Sequence, residues 1–324
     1  MKFAIVGCGL IGAKRADALA GEHELVLAVD LDPERAQALA SRHGARSAQN
    51  WRAAVDAEVD AVIIATAHNA LAAPATAALE AGRHVLVEKP AGLNLAEVAA
   101  IAAAAERAER IVKVGYNHRF HPALLKARAL VDEGVLGPLM FVRGRYGHGG
   151  RVGYEREWRF NREISGGGEL LDQGSHLIDL AHWFLGDFVD VAGAPRRYFW
   201  PSDVEDNIFL TLSTAAGQVA WLHATWTEWK NMFSFEIYGR DGKIDISGLG
   251  GSYGLESLAL YRMLPQMGPP ETTKWEWPFP DQSWRLEIDE FVAAIREGRQ
   301  PVGNIQDALH TMTVIDHVYS AGSS

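Results

Sequence analysis

Five short apolar segments within the first 117 residues constrain the fold of this chain more than any other feature. Each is apolar almost throughout rather than alternating, and helical patterns at 33–43, 69–82 and 94–110 separate them. Strands of this kind are buried on both faces of a parallel sheet, and right-handed crossovers then give a doubly wound α/β domain. We therefore predict a Rossmann-type domain over 1–117. The predicted strands are FAIV (3–6), ELVLAV (24–29), DAVIIAT (60–66), HVLV (84–87) and IVKVGY (111–116).

The remaining residues, 118–324, have a different texture. A helix is predicted over 122–134 and another over 169–185, and two more close the chain. Runs of strands after helices indicate an α+β domain with an open, mostly antiparallel sheet. The length of 324 residues also favours two domains over one. The predicted strands of this domain are 139–147, 206–214, 218–229, 233–239, 242–248 and 258–263, and its last helices are 283–298 and 305–322.

Composition excludes several classes of function. Lys and Arg total 31 against 41 Asp and Glu, a net charge of -10, and no basic footprint for nucleic acid or an anionic membrane is evident. The single cysteine, Cys8, allows no disulfide within the chain, and a cysteine-based zinc site needs more thiolates. No apolar run is long enough to span a membrane, and glycines interrupt the first residues too early for a signal peptide. We expect a cytoplasmic protein.

GCGLIG, directly after the first strand, is the first motif that indicates chemistry. Gly7, Gly9 and Gly12 have the G-x-G-x-x-G spacing and open a helix. Such glycines permit a tight turn, a close approach to pyrophosphate and close helix packing. We predict that these glycines bind a dinucleotide together with Leu10 and Ile11.

Asp30 ends the second strand, eighteen residues beyond Gly12. A carboxylate there can accept hydrogen bonds from both ribose hydroxyls and repels a 2′-phosphate. Leu31 and Asp32 follow, so no arginine is placed to bind that phosphate. NAD is therefore predicted, with NADP disfavoured.

HVLVEKPAG (84–92) places Glu88 and Lys89 where an apolar strand ends at Pro90. The lysine is either a surface charge at a chain reversal or a catalytic group at the carboxyl edge of the sheet, where doubly wound folds bind ligands. Glu88 is either a local charge partner or a cofactor contact.

The predicted helix over 169–185 carries Asp172, His176 and Asp179 at i, i+4 and i+7, on one face. Polar groups on an otherwise apolar helix are costly unless they are paired or functional. A histidine beside carboxylates can accept a proton from a substrate hydroxyl. The alternatives are a core histidine with its hydrogen bonds satisfied, or a divalent metal site completed by His118 or His121. No compact ligand motif supports a metal, and none is predicted.

Four motifs in this order resemble the Gfo/Idh/MocA family, the relatives of glucose–fructose oxidoreductase and inositol dehydrogenase. They are GCGLIG, EKP, GYNHRF and GGGELLDQGSHLID, and the resemblance spans nearly the whole chain. It implies a Rossmann domain followed by an α+β domain, with the substrate between the domains, under the nicotinamide. It also implies a homo-oligomer, a dimer or tetramer, built through the sheet of the second domain.

The resemblance further implies roles for individual residues. Lys89, Asp172 and His176 match the catalytic residues of inositol-dehydrogenase-like members, with a cis peptide before Pro90. GYNHRF matches the segment that reaches over the substrate, which makes Asn117, His118 and Arg119 substrate-binding candidates. One stretch departs from the family pattern T-P-N-x-x-H: this chain reads TAHNAL, so the cofactor contacts expected of Thr66 and His68 are less certain.

The segment 143–161 concentrates arginines and aromatic residues. Arginines with aromatic rings suit a sugar joined to a phosphate or carboxylate, which makes Arg151, Tyr154 and Trp158 substrate-binding candidates. A solvated loop or an oligomer contact explains the same composition equally well.

Together these features predict an NAD-dependent dehydrogenase that oxidises a secondary hydroxyl of a sugar, sugar derivative or cyclitol to a ketone. Three alternatives remain at this point. They are a UDP-sugar 3-dehydrogenase, an NAD-dependent hydrolase of glycosidase type, and an NAD-sensing regulatory protein without catalysis.

Overall fold

The computed structural model of the chain describes residues 1–321 and divides into two compact units. The first unit contains 1–116, 163–166 and 284–312; the second contains 117–162, 167–283 and the residues from 313 onward. The sequence analysis places a single domain boundary after residue 117, close to the point where the chain first passes from the first unit to the second. The chain then returns twice to the first unit, so a single boundary does not describe the division.

A six-stranded, wholly parallel sheet organises the first unit, in the order β3-β2-β1-β4-β5-β6. This is the doubly wound order, so the prediction of a Rossmann-type domain is confirmed. The short β3 was not predicted, because two of its three residues are exposed and the third is half-buried, which leaves no apolar run. The strands are β1 (Lys2–Val6), β2 (Glu24–Val29), β3 (Arg46–Ala48), β4 (Ala61–Ile64), β5 (His84–Val87) and β6 (Val112–Val114).

Helices connect these strands. Asn94 caps the last of them by accepting a hydrogen bond from the Glu97 amide at 3.0 Å. The helices are α1 (Leu10–Leu19), α2 (Pro33–His43), α3 (Arg52–Asp56), α4 (Ala72–Glu80) and α5 (Leu95–Ala108).

The second unit contains an eight-stranded sheet in the order β14-β13-β12-β11-β7-β10-β9-β8. Every neighbouring pair is antiparallel except β7 with β10, so the predicted open, mostly antiparallel sheet is confirmed. The two edge strands, β8 and β14, were not predicted. The strands are β7 (Leu139–Gly147), β8 (Phe188–Arg196), β9 (Asn207–Thr214), β10 (Val219–Thr225), β11 (Met232–Gly239), β12 (Lys243–Ser247), β13 (Glu256–Arg262) and β14 (Glu271–Trp277).

The helix predicted over 169–185 begins with a π-helical turn, Leu170–Gly174, before it becomes α-helical. The Gly174 amide donates to the Glu169 carbonyl at 2.8 Å, a bond that spans five residues instead of four. The remaining helices are α6 (Pro122–Asp132), α7 (Arg162–Ser165), α8 (Ser175–Leu185), α9 (Ser283–Glu297) and α10 (Ile305–Ala321). The last residue of the predicted helix 305–322 lies outside the described residues.

Helix α9 explains one return of the chain to the first unit. Ile288, Phe291 and Val292 are buried in the same apolar cluster as Phe3 and Ile5 of β1. A helix that buries these side chains against the parallel sheet belongs to the domain it covers, although 282 residues precede it in the sequence. No helix within residues 1–321 is long and apolar enough to cross a membrane.

Candidate active site

The glycine turn after β1 has the geometry of a dinucleotide cradle. Gly7 has φ of +96°, and a Cβ there would collide with the Ala65 carbonyl oxygen. A Cβ on Gly12 would collide with the Gly7 carbonyl, whereas one on Gly9 would meet nothing within 4 Å. Gly7 and Gly12 are therefore required by the protein itself. Gly9 borders open space at the start of α1, where an anion is favoured.

Asp30, at the end of β2, is oriented by the same turn. Its carboxylate accepts hydrogen bonds from the Cys8 amide at 2.7 Å and from the Asp32 amide at 2.9 Å. Each oxygen takes one bond, which leaves each free to accept another. Cys8 has a structural role here, because burial raises the pKa of its thiol to about 12.

Replacing Asp30 by alanine is expected to weaken NAD binding by about 10- to 100-fold, the effect of losing one or two hydrogen bonds to a charged group. NADP binding should weaken less, because the repulsion of its 2′-phosphate is also removed. Dissociation constants for both nucleotides, measured by titration, check this. Asp60→Ala is the control, since the exposed Asp60 carboxylate accepts a hydrogen bond from the Lys2 amide at 2.7 Å, at the opposite end of β1 from the glycine turn. Equal losses for both nucleotides would contradict the role of Asp30.

The other predicted cofactor residues lie around the same end of the parallel sheet. The Leu10 side chain is 74% exposed at the first position of α1, and Ile11 follows it, half-buried. Thr66 follows β4, with its hydroxyl 3.2 Å from the Ala67 carbonyl. His68 is buried, and its Nδ1 lies 2.8 Å from the Ser165 carbonyl of the same unit. The contacts of these four residues with the cofactor remain predictions.

Glu88 and Lys89 follow β5, and the Lys89–Pro90 peptide is cis, as the resemblance implied. The Lys89 side chain is half-buried. Glu88 has a buried charge partner, Arg15 of α1, whose Nε lies 2.7 Å from its carboxylate. Burial raises the pKa of Glu88, and the Arg15 guanidinium opposes that rise. The charge-partner role left open for Glu88 is thus filled.

This pair continues into a chain of four buried charges. Arg15 also binds Glu287 of α9 at 2.6 Å, and Glu287 binds Lys113 of β6 at 3.0 Å. The side chains of these three residues are fully buried. Sequence reasoning missed them, although each is a charged residue at an apolar position of a helix or strand, a signal that was available.

In the second unit, the ring of His176 stacks on that of His118. Their centroids lie 3.7 Å apart with an interplanar angle of 18°. His118 Nδ1 lies 3.1 Å from the Asn117 amide oxygen, which can only accept, so this nitrogen carries the hydrogen. Asn117 is itself held by the Ser283 hydroxyl at 3.0 Å. Three candidates, Asn117, His118 and His176, are thus brought together and oriented.

Asp172 lies in the π turn, four residues before His176. Its carboxylate accepts a hydrogen bond from Arg159 Nε at 3.1 Å, and Arg159 also binds Glu157 at 3.1 Å. The Ser175 hydroxyl donates to the Asp172 carbonyl at 2.8 Å. The ion pair with Arg159 therefore fixes the direction of the Asp172 carboxylate.

Two tyrosines line the same cluster. The Tyr146 ring centroid lies 5.1 Å from that of His118 and 5.0 Å from that of Tyr253. Gln173, the neighbour of Asp172, donates to the Tyr253 hydroxyl at 3.1 Å. Burial raises the pKa of Tyr253 to about 12 and that of Tyr146 well above its ordinary value, so both hydroxyls stay protonated. Tyr253 lies outside every predicted motif, and Tyr146 lies in the segment 143–161 but was not among the substrate-binding candidates chosen from it.

Arg119 forms an ion pair within the second unit. Its Nε and Nη2 bind the two oxygens of Asp179 at 2.8 and 2.6 Å, and both side chains are buried. A bidentate pair of this kind joins the 117–120 turn to α8. Arg119 is therefore paired with Asp179, and its contact with substrate remains a prediction.

Several arginines of the segment 143–161 form ion pairs with acidic side chains. Arg151 binds Glu157, and Arg143 binds Glu236 at 2.8 Å. Tyr154 is buried in an aromatic cluster, with its centroid 5.2 Å from that of Phe160. The half-buried Trp158 lies under the Arg159 guanidinium at 4.8 Å. Most of this composition therefore serves ion pairing and packing within the unit.

Proton transfer is the chemistry that this cluster can perform. A stacked, oriented imidazole can accept a proton, and a fixed carboxylate nearby stabilises the resulting cation. Burial lowers the pKa of the neighbouring His148, which is therefore neutral at pH 7 and adds no competing charge.

Comparison with known proteins identifies the family. The model "Oxidoreductase family, NAD-binding Rossmann fold" matches residues 1–116, and the model "GFO/IDH/MocA C-terminal domain" matches residues 124–245. Inositol 2-dehydrogenase 2 of Saccharopolyspora erythraea is 30% identical over 338 aligned positions, which cover 100% of this chain and 94% of that protein. The chain belongs to the GFO/IDH/MocA family.

Two further matches are to levoglucosan dehydrogenases. That of Pseudarthrobacter phenanthrenivorans is 30% identical over 244 residues, which span 66% of this chain and 63% of that protein. A solved levoglucosan dehydrogenase in complex with NADH and levoglucosan has a TM-score of 0.91 at 24% identity, covering 100% of this chain and 97% of that one. The likeness to the solved structure is one of fold.

Membership of the GFO/IDH/MocA family makes the first unit an NAD-binding Rossmann domain, as the sequence predicted. The residues present fit NAD. Gly9 borders open space at the start of α1, and Asp30 presents a carboxylate fixed by two backbone amides. NAD supplies an acceptor for hydride, which is chemistry that no side chain of the chain provides.

Proposed function

We propose that the protein is an NAD-dependent dehydrogenase that oxidises a secondary hydroxyl of a sugar, sugar derivative or cyclitol to a ketone. The observation that carries this proposal is the oriented His176 beside Asp172 in a chain whose other unit binds NAD. The relatives named inositol 2-dehydrogenase and levoglucosan dehydrogenase support the class of substrate.

In the proposed mechanism, His176 accepts the proton of the substrate hydroxyl at an imidazole nitrogen. Asp172, oriented by Arg159, stabilises the imidazolium that forms. Lys89 donates a hydrogen bond to the same hydroxyl oxygen and stabilises its developing negative charge. The stack on His118 keeps the His176 ring in one orientation, so that little reorganisation is needed when the proton moves. Reduction of the ketone uses the same groups in reverse.

A panel of inositols, free hexoses, 1,6-anhydro sugars, glycosides and UDP-sugars, each supplied with NAD and then with NADP, tests the proposal. We expect NADH to form with at least one free sugar, sugar derivative or cyclitol, and NADP to support a lower rate. UDP-sugars as the only substrates would instead identify the nucleotide-sugar enzyme. Release of an aglycone without NADH would identify the hydrolase, and NAD binding without turnover of any compound would identify the regulatory protein.

The pairing of the arginines argues against the UDP-sugar alternative. A diphosphate is bound through positive charge, and the Glu157 carboxylate offsets part of the charge that Arg151 and Arg159 supply. No specific contact favours the hydrolase or the regulatory protein.

We also propose that copies of the chain associate through the eight-stranded sheet, in the cytoplasm. Support comes from paired rings on its half-exposed face: Phe141 stacks on Tyr238 at 4.2 Å, and Phe209 stacks on His223 at 4.3 Å. Trp221 on the same face of β10 is 45% exposed. Partly exposed aromatic rings of this kind suit a homo-oligomeric interface. Sedimentation of a monomer at micromolar concentration would contradict it.

A further inference from the structure

Two glycines before the Asp172 helix have no role in the mechanism proposed above. Gly167 and Gly168 precede the π turn and are buried, and neither has a positive φ. Their backbone conformation is therefore open to other residues, and the requirement for glycine must come from close neighbours.

Those neighbours are Glu205 and Tyr319. A Cβ on Gly167 would collide with the Tyr319 hydroxyl, and one on Gly168 would collide with the Glu205 carbonyl oxygen. Backbone carbonyls cannot move aside as flexible side chains can. Only a residue without a side chain lets this segment approach them so closely.

The Glu205 carboxylate is the centre of the arrangement. One oxygen, Oε1, accepts hydrogen bonds from the Gly168 amide at 3.1 Å, the Leu170 amide at 3.1 Å and the Tyr319 hydroxyl at 2.7 Å. The Glu205 carbonyl accepts a further bond from the Glu169 amide at 3.0 Å. Glu205 is 6% exposed, so these donors stand in for water.

These bonds fall on the first amides of the helix that carries Asp172 and His176. The opening amides of a helix have no partners within it, and a carboxylate there satisfies them and favours the helix dipole. The amides of Gly168, Glu169 and Leu170 are all bound by Glu205. The Glu169 carbonyl then accepts from the Gly174 amide, the five-residue bond of the π turn, and the Gly168 carbonyl accepts from the Asp172 amide, a four-residue bond.

A π turn contains one residue more than an α-helical turn, so it changes the angle between Asp172 and His176. Without bonds that fix its start, the segment would be free to relax to the α-helical pattern, whose hydrogen-bond geometry is the common one. Asp172 would then rotate about the helix axis relative to His176 and away from Arg159.

We propose that Glu205 and Tyr319 are positioning residues, which hold the π turn in place and thereby set Asp172 at its working angle to His176. This inference rests on the proposed function for its catalytic consequence. The structural consequence, a π turn that depends on Glu205 and Tyr319, stands apart from any substrate.

The test uses four variants of the full chain with the best substrate of the panel. Glu205→Ala removes the acceptor, Glu205→Gln keeps an oxygen that can accept the same bonds, Tyr319→Phe removes one donor, and Gly168→Ala forces the segment away from Glu205. The matched control is Tyr198→Phe, because the Tyr198 ring is 66% exposed. For each variant, kcat is expressed per NAD-binding site measured by titration, so that misfolded protein does not count.

We expect kcat per site to fall about 100-fold in Glu205→Ala and Gly168→Ala, the scale of a misplaced catalytic group, and about tenfold in Tyr319→Phe. Glu205→Gln should recover most of the activity, and the dissociation constant for NAD should stay within about twofold throughout. A merely structural role would lower the number of NAD-binding sites and leave kcat per site unchanged. That result, or a glutamine variant no better than alanine, would overturn the proposal.

A crystal structure of Tyr319→Phe, and of Glu205→Ala if it is soluble, separates this proposal from the proposed function. We expect loss of the Gly174–Glu169 hydrogen bond and a rotated Asp172 in Glu205→Ala. An unchanged π turn in both would overturn the inference even if the enzyme is a dehydrogenase. If no panel compound is oxidised, the proposed function fails. The crystal structures would still show whether the π turn depends on Glu205 and Tyr319.

Discussion

Lys89→Met should lower kcat for the oxidation by about 1,000-fold while the protein still binds NAD. In the proposed mechanism the lysine donates a hydrogen bond to the oxygen that develops negative charge, and loss of one such donor removes on the order of 10² to 10³ in rate. Loss of its help in proton transfer adds to this. Steady-state kinetics with the best panel substrate, with NAD affinity measured separately, check the prediction.

The matched control for this variant is Lys2→Met, because Lys2 is an exposed lysine on β1 of the same unit. It should keep the wild-type rate. The double variant Lys89→Met/His176→Phe should be little slower than either single variant, since groups that act as a unit are not additive. Turnover in Lys89→Met within about tenfold of the wild type would contradict the mechanism.

Arg15→Met should lower the free energy of unfolding by about 3–5 kcal/mol, the usual result of removing one partner from a buried ion pair. Arg15 is fully buried between Glu88 and Glu287, and its removal leaves Glu88 without its cation. Lys113 would still bind Glu287. Urea denaturation of the two proteins checks the loss.

The sign of the pH dependence follows from Glu88, whose folded-state pKa is already raised by burial. A raised carboxyl pKa means that the folded state takes up a proton more readily than the unfolded chain, so Glu88 favours folding at acidic pH and less as pH rises. Without Arg15 this pKa should rise further. The loss in Arg15→Met should therefore be larger at pH 8 than at pH 5.

Two variants control the Arg15 measurement. Arg107→Met removes an exposed pair with Glu80, at 3.5 Å, and should cost less than about 1 kcal/mol. Arg15→Met/Glu88→Gln should recover part of the lost stability, because the uncompensated carboxylate is gone. A loss below about 1 kcal/mol in Arg15→Met would show that burial of these carboxylates does not depend on the arginine.

Much of the fold was predictable because its strands carry strong local signals. HVLV and ELVLAV are strands at the predicted residues, since continuous apolar runs bounded by turns have few other solutions. The missed strands β3, β8 and β14 are edge strands with mostly exposed side chains. Hydrophobic periodicity does not detect a strand that is defined by its backbone partner alone.

The site was predictable as a set of motifs and less so as an arrangement. The spacing of Asp172 and His176 indicated one helix face, but the π turn between them depends on Glu205, more than thirty residues away. The arginines of 143–161 suggested an anion site, whereas Glu157 and Glu236 neutralise several of them. Pairing of this kind is set by tertiary structure, which composition does not report.

Transfer of deuterium tests the central claim most directly. The best panel substrate, fully deuterated on carbon, is oxidised with unlabelled NAD in ordinary water, and the NADH is analysed by mass spectrometry and NMR. The account predicts one deuterium per NADH, at C4 of the nicotinamide. NADH without deuterium, or product formed with no NADH at all, would contradict hydride transfer from the substrate carbon.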